Sequence, residues 1–218
     1  MLYLSQISFQ SNPETYRFLG ESNFTYKAHQ LVSLAQSENA KDGRILWRLE
    51  SAKNKLPKLL VQTDFAPDFG RLTGSEFSSF VEKPQVKKFK LNTTTGQLYG
   101  FKARVNPTMR EFVKNLPKGK RGPRVPIVEN SELATWILRK EESCGFKLVH
   151  SQIDAEDPLI FKKPKGQSVT LNSICLSGKL IVTNATLFHE TMRNGLGSAK
   201  GFGFGMISLK RIVVDGEA

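Results

Sequence analysis

The chain has 218 residues, 39% of them apolar and 10% aromatic, enough for one large domain or two small ones and too core-rich for disorder. Thirty-two Lys and Arg against 20 Asp and Glu leave a net charge of +12 and a pI near 9.8, which points to a polyanionic partner. With no 18-residue apolar run a transmembrane span is excluded, and Cys144 and Cys175, with no CxxC pair, indicate neither a disulfide framework nor a zinc site but a reducing, cytoplasmic setting.

Leu2 to Phe9 alternates as a strand and lacks the basic leader of a signal peptide. Asn12-Pro13-Glu14 starts a helix that Gly20 stops. A second helix begins near Ser22 or Asn23, because Phe24, Ala28, Leu31, Val32 and Ala35 make one helical stripe. Arg44–Glu50 and Leu59–Val61 read as strands, followed by a looser region from Asp64 to Pro84. In the second half, Lys87–Leu91 and Tyr99–Val105 read as strands joined across Thr93–Gly96, a turn composition. A basic loop and a helix from Ser131 to Cys144, closed by Gly145, come next. Phe146–Val149, Leu159–Phe161, Val169–Leu176 and Lys179–Thr183 are strands, the last two hinged at Ser177-Gly178. Asn184 caps a helix carrying Leu187, Phe188 and Met192, and Phe204–Val214 is the closing strand. Strand–helix–strand–strand–helix–strand is the ferredoxin-like order. One copy fits the second half and a less regular copy the first, so the expected fold is α+β with tandem ferredoxin-like (RRM-like) domains at 1–84 and 85–218.

Between the last helix and the last strand lies Gly195-Leu-Gly-Ser-Ala-Lys-Gly-Phe-Gly-Phe-Gly205. Gly195, Gly197, Gly201 and Gly203, with Ser198 and Lys200, form a candidate phosphate cradle, since glycine lets backbone N–H groups approach an anion. The spacing is neither a P-loop nor a dinucleotide fingerprint, and a tight helix-to-strand connection explains the glycines equally well. His29 lies roughly 120° from the centre of its helix's apolar stripe and Tyr26 about opposite that centre, so both stand away from the core face as surface neighbours. One reading is an ordinary exposed histidine. The other is an acid–base group, with RNA supplying its own 2′-OH nucleophile and no metal needed. Asp64 and Asp68, and Asp154, Glu156 and Asp157, show no ligand spacing and read as solvated turns. His150 and His189 read as structural or surface residues. Lys118, Lys120, Arg121 and Arg124 form an extended basic loop, and Lys162, Lys163 and Lys165 a second cluster at a strand end; both are candidate phosphate contacts.

Tyr3-Leu-Ser5, Tyr26-Lys-Ala-His-Gln30, Tyr99-Gly-Phe-Lys-Ala-Arg-Val-Asn-Pro107, Arg124-Val-Pro126 before the helix with Trp136, and the glycine loop followed by Met206-Ile-Ser-Leu209 carry a resemblance that runs nearly end to end. The chain resembles the CasE family of CRISPR-associated repeat endoribonucleases, part of the type I-E Cascade complex and of the RAMP superfamily. The resemblance implies tandem RAMP-type ferredoxin-like domains and cleavage of the CRISPR repeat at its hairpin base without metal or cofactor. It further implies a 2′,3′-cyclic phosphate (or its opened form) and a 5′-hydroxyl as products. The protein would then stay on the guide RNA beside other Cascade subunits, and be a monomer outside that complex. His29 matches the family's catalytic histidine, Tyr26 its tyrosine, and the glycine loop its RNA-contacting loop. Some relatives carry a lysine soon after the histidine; here no basic residue follows until Lys41, and Lys27 or Lys200 are the substitutes at hand. A non-catalytic RNA-binding subunit of an effector complex is the alternative.

Overall fold

A computed structural model describes residues 1–37, 40, 42–162 and 168–212. In the first half the elements are β1 (Leu2–Ile7), α1 (Pro13–Gly20), α2 (Phe24–Ser33), β2 (Ile45–Ala52), β3 (Lys55–Thr63) and β4 (Gln85–Phe89). The second half holds β5 (Leu98–Val105), β6 (Thr108–Arg110), β7 (Arg124–Pro126), α3 (Asn130–Cys144), β8 (Phe146–Lys162), β9 (Ser168–Val182), α4 (Ala185–Asn194) and β10 (Ile207–Arg211). The two large sheets have the orders β2-β3-β1-β4 and β10-β5-β9-β8, both antiparallel. Each places its last strand beside its first, as the ferredoxin-like arrangement requires.

Local chemistry accounts for the helix ends. Asn12 accepts from the Thr15 amide at 2.9 Å with Pro13 in the first turn, and Asn184 accepts from Leu187 at 3.1 Å. Gly145 takes the left-handed conformation that ends α3. Each sheet buries one face under its own helices. The first core gathers Ile7, Phe18, Leu31, Trp47, Val61 and Phe80, and the second Val105, Trp136, Phe146, Leu180, Phe188 and Ile207.

Several elements differ from the sequence expectations. β4 pairs with β1, Leu2 opposite Phe89, and not across Thr93–Gly96 with β5. We therefore propose that the divide between the two units falls in 90–97, after this strand. The two short strands expected at Phe146–Val149 and Leu159–Phe161 are one strand with bulges, and Asp154 and Glu156 sit in its ladder instead of in a turn. Glu156 is held there by the Arg104 guanidinium at 2.7 Å and the Ser173 hydroxyl. β9 also runs through Ser177-Gly178 without a hinge; Gly178 is needed because a Cβ would strike the His150 carbonyl. The region 64–84 is irregular but anchored, with Leu72, Phe77 and Phe80 in the first core. The closing strand begins at Ile207, and Phe204 belongs to the glycine loop; Val214 lies outside the described residues.

The second face of the first sheet meets the second unit through polar groups. Arg48, 4% exposed, donates to the Lys102 and Met206 carbonyls and to Ser208 Oγ, and pairs with Glu50. Gln62, 3% exposed, donates to the Met192 carbonyl at 2.6 Å. Buried polar groups cost free energy unless partnered, so these two side chains fix how the units sit together. Replacing Arg48 by Ala should lower stability by about 3 kcal/mol in urea unfolding. A change below about 0.5 kcal/mol, the ordinary range for a surface substitution, would contradict the buried bridging role.

Candidate functional site

Tyr26 and His29 are both half-buried on α2 and line one open groove with Gln30 and Ser33 of the same helix, Gln36 beyond it and Arg71 from the irregular segment. The stripe of Ala28, Leu31 and Val32 is wholly buried, which turns the other side of the helix to this groove. His29 is less open than its helix position alone indicates. The short 3₁₀ turn Lys200–Phe202 lies against it, with the Gly201 Cα side only as far from the imidazole as ordinary contact (an added Cβ would sit 3.5 Å from Cε1). The Phe202 ring centre is 6.1 Å from that of His29, and Phe202 in turn packs on buried Phe161 at 4.6 Å. This covering desolvates the imidazole and holds its pKa below the ordinary 6.5.

The glycine loop is built for close approach. Gly195, Gly197, Gly203 and Gly205 have positive φ, as does Ala199. At Gly203 (φ +86°) a Cβ would come within 3.1 Å of the Trp47 ring, and at Gly205 within 2.7 Å of the Leu196 carbonyl. The Trp47 indole N–H donates to the Gly201 carbonyl at 3.0 Å, tying the loop to β2. Steric need thus explains Gly203 and Gly205, whereas Gly201 has room for a side chain only in the direction of His29.

On its other side the loop borders a second groove, lined by Ser198 and Gly197 and by Arg110, Arg124, Arg139 and Lys140. Arg110 and Arg124 stand directly opposite each other in the β6–β7 ribbon, a like-charge pair that an anion would relieve. Lys140 lies over the Trp136 ring, and burial, then the charges of Arg44 and Lys140, hold Lys200 below its ordinary pKa. Ser198 Oγ donates to the Asn106 carbonyl at 2.8 Å, and Arg104 packs on the Phe204 ring, so the Arg104–Pro107 segment supports the loop from beneath.

The structure therefore brings His29 and Gly201 together, joins Gly197, Ser198 and Arg124 in the basic groove, and leaves Lys200 half-buried near Lys140 and Arg124 instead of on His29. Lys118, Lys120 and Arg121 are exposed in the β6–β7 connection. Lys162 ends β8; Lys163 and Lys165 lie outside the described residues. Lys27 is tied to Glu21 at 2.9 Å, which removes it from the groove's chemistry. Sequence reading passed over Arg110, Arg139, Lys140 and Arg71, since none sits in a long basic run. The one available signal was the pair Arg139-Lys140, in the later part of the helix that follows the basic loop.

A histidine groove and a cationic groove, joined by one glycine loop on paired ferredoxin-like units, define a protein that holds a polyanion beside a titratable group. The chain belongs to the CRISPR-associated protein family, whose profile, described as CRISPR associated protein, matches residues 2–211. It is 29% identical over 198 residues to the CRISPR-associated endoribonuclease Cse3 of Thermus thermophilus, covering 84% of this chain and 89% of that one. It is 28% identical over 130 residues to the CRISPR system Cascade subunit CasE of Escherichia coli, covering 57% and 64%. A structure of CRISPR endoribonuclease Cse3 bound to a 19-nucleotide RNA superposes with a TM-score of 0.77 at 27% identity, over 95% of this chain and 99% of that one. Among the described residues no helix is long and apolar enough to cross a membrane.

Two glycines of one loop should respond differently to a methyl group. Gly203→Ala forces a left-handed alanine against Trp47 and should cost about 1–2 kcal/mol with a shift in tryptophan emission. Gly201→Ala should leave stability within about 0.5 kcal/mol. Equal losses for both would contradict the loop packing described above.

Proposed function

We propose that this protein is an endoribonuclease that binds the CRISPR repeat hairpin and cleaves precursor CRISPR RNA at the hairpin base. It then stays on the mature guide RNA as a subunit of a Cascade complex. Membership of the family and similarity to an endoribonuclease over most of both chains support the activity. The observation that carries the site is His29, half-buried under Gly201 and Phe202 beside an open groove, with a basic groove on the far side of the same loop.

The reaction follows from that placement. Neutral His29 accepts the proton of the 2′-OH while the 2′-oxygen forms its bond to the adjacent phosphorus. The bond from phosphorus to the 5′-oxygen breaks, and that oxygen takes a proton from an imidazolium or from water. The products are a 2′,3′-cyclic phosphate and a 5′-hydroxyl, and the residues require no metal for any step. Tyr26, in the wall of the same groove, orients the 2′-OH. The stem lies along Arg110, Arg124, Arg139 and Lys140, with Lys118, Lys120 and Arg121 extending the phosphate contacts and Gly195–Gly203 fixing the strand near His29. Free Cys144 and Cys175 suit the cytoplasm.

In EDTA, wild-type protein should cut repeat RNA, whereas His29→Ala should be slowed by about 10² or more and a 2′-deoxy substitution at the cut should abolish the product. Undiminished cutting by His29→Ala would remove His29 from the mechanism, and hairpin binding with no product from wild type would assign a non-catalytic role. Burial lowers the His29 pKa, which favours the neutral imidazole that a general base requires. kcat/KM, which reports the free enzyme, should fall as pH drops through a value below 6.5 and level off above it. A rate that instead rises on acidification through that range would make His29 the acid.

A further inference from the structure

The cleavage reaction gathers negative charge on the two non-bridging phosphate oxygens, and in the absence of a metal requirement a fixed cation must meet it. In the groove that holds Tyr26 and His29 one cationic side chain is present among the described residues, Arg71. It comes from outside α2, on the 3₁₀ turn Gly70–Leu72.

The turn is held rigidly. Leu72 is buried in the first core, Asp68 accepts from the Gly70 amide at 2.9 Å, and the Asp68 amide donates to the Ala35 carbonyl at 2.9 Å, just past the end of α2. Arg71 Nη1 donates to the Gln36 carbonyl at 3.2 Å, which tethers the guanidinium beside the end of α2 in the wall of the groove. That bond uses one of its five N–H groups, and among the described residues no carboxylate forms an ion pair with it. A planar fork with donors to spare, anchored by a neutral carbonyl, suits bidentate binding of a phosphate. The other cations near His29 are differently engaged: Lys27 is paired with Glu21, and Lys200 is half-buried beside the basic groove.

We infer that Arg71 binds the scissile phosphate in the His29 groove and neutralises the charge that develops on it. This rests on the cleavage activity proposed above. It gives the chain a cation for the position that α2 leaves empty, since no basic residue follows His29 within that helix.

The test compares wild type, Arg71→Ala, Arg71→Lys and His29→Ala on repeat hairpin RNA in EDTA under single-turnover, saturating conditions. Arg71→Ala should slow cutting about 10²-fold while binding of the uncleavable 2′-deoxy hairpin weakens less than about tenfold, and Arg71→Lys should recover part of the rate. A sulfur in place of one non-bridging oxygen at the cut should slow wild type more than it slows Arg71→Ala, because that contact is already missing. An unchanged rate in Arg71→Ala, or the same sulfur effect in both proteins, would overturn the inference and leave Arg71 as a brace for the end of α2. Full-rate cutting by His29→Ala would instead defeat the acid–base assignment and is read separately from the Arg71 arms.

Discussion

The site depends on one hydrogen bond between the two halves of the chain, the Trp47 indole N–H to the Gly201 carbonyl at 3.0 Å. Trp47 is 3% exposed in the first core, so its indole is a fixed point. The bond seats the Lys200–Phe202 turn on β2 and thereby against His29 on the neighbouring helix. A histidine on an exposed helix face would titrate as in water. Here a loop from the far end of the chain covers it, and that burial lowers its pKa. His29 and the loop that covers it therefore belong to different ferredoxin-like units.

That arrangement explains why the units are locked by polar groups and not by an apolar seam alone. Hydrophobic contact is tolerant of small slides, whereas Arg48 and Gln62 reach named carbonyls and Ser208 and lose them if the sheets shift. The same lock sets the basic groove at a fixed offset from the histidine groove, because Gly197 and Ser198 lie in one and Gly201 against the other. The cations Arg110, Arg124, Arg139 and Lys140 therefore keep one register relative to the groove of Tyr26, His29 and Arg71.

Much of the fold was readable because its signals are local. Asn12-Pro13, Asn184 and Gly145 mark helix ends through hydrogen bonds and φ angles within a few residues, and the element order alone pointed to the ferredoxin-like arrangement. Strand pairing was less readable, since it is decided by partners distant in sequence. The Lys-rich β4 carries no apolar alternation to distinguish a β1 partner from a β5 partner, and Thr93–Gly96 imitated a hairpin turn. Asp154 and Glu156 looked like turn residues until Arg104 and Ser173 supplied partners across the sheet. At the site, helix periodicity turned Tyr26 and His29 away from the core, and the structure puts both on one groove, but the cover on His29 was not readable. Arg110, Arg139, Lys140 and Arg71 come from separate elements, and only folding sets them along the two grooves.

A loop of the second unit, tied to Trp47, buries His29 of the first and lowers its pKa. With three histidines in the chain, His29 can be followed by NMR titration of its Cε1 proton in wild type and in Trp47→Phe, which keeps an aromatic ring and removes the N–H. Wild type should show a pKa below 6.5 that moves back towards 6.5 in the variant. A wild-type value at or above 6.5, or one that Trp47→Phe leaves unchanged, would contradict it.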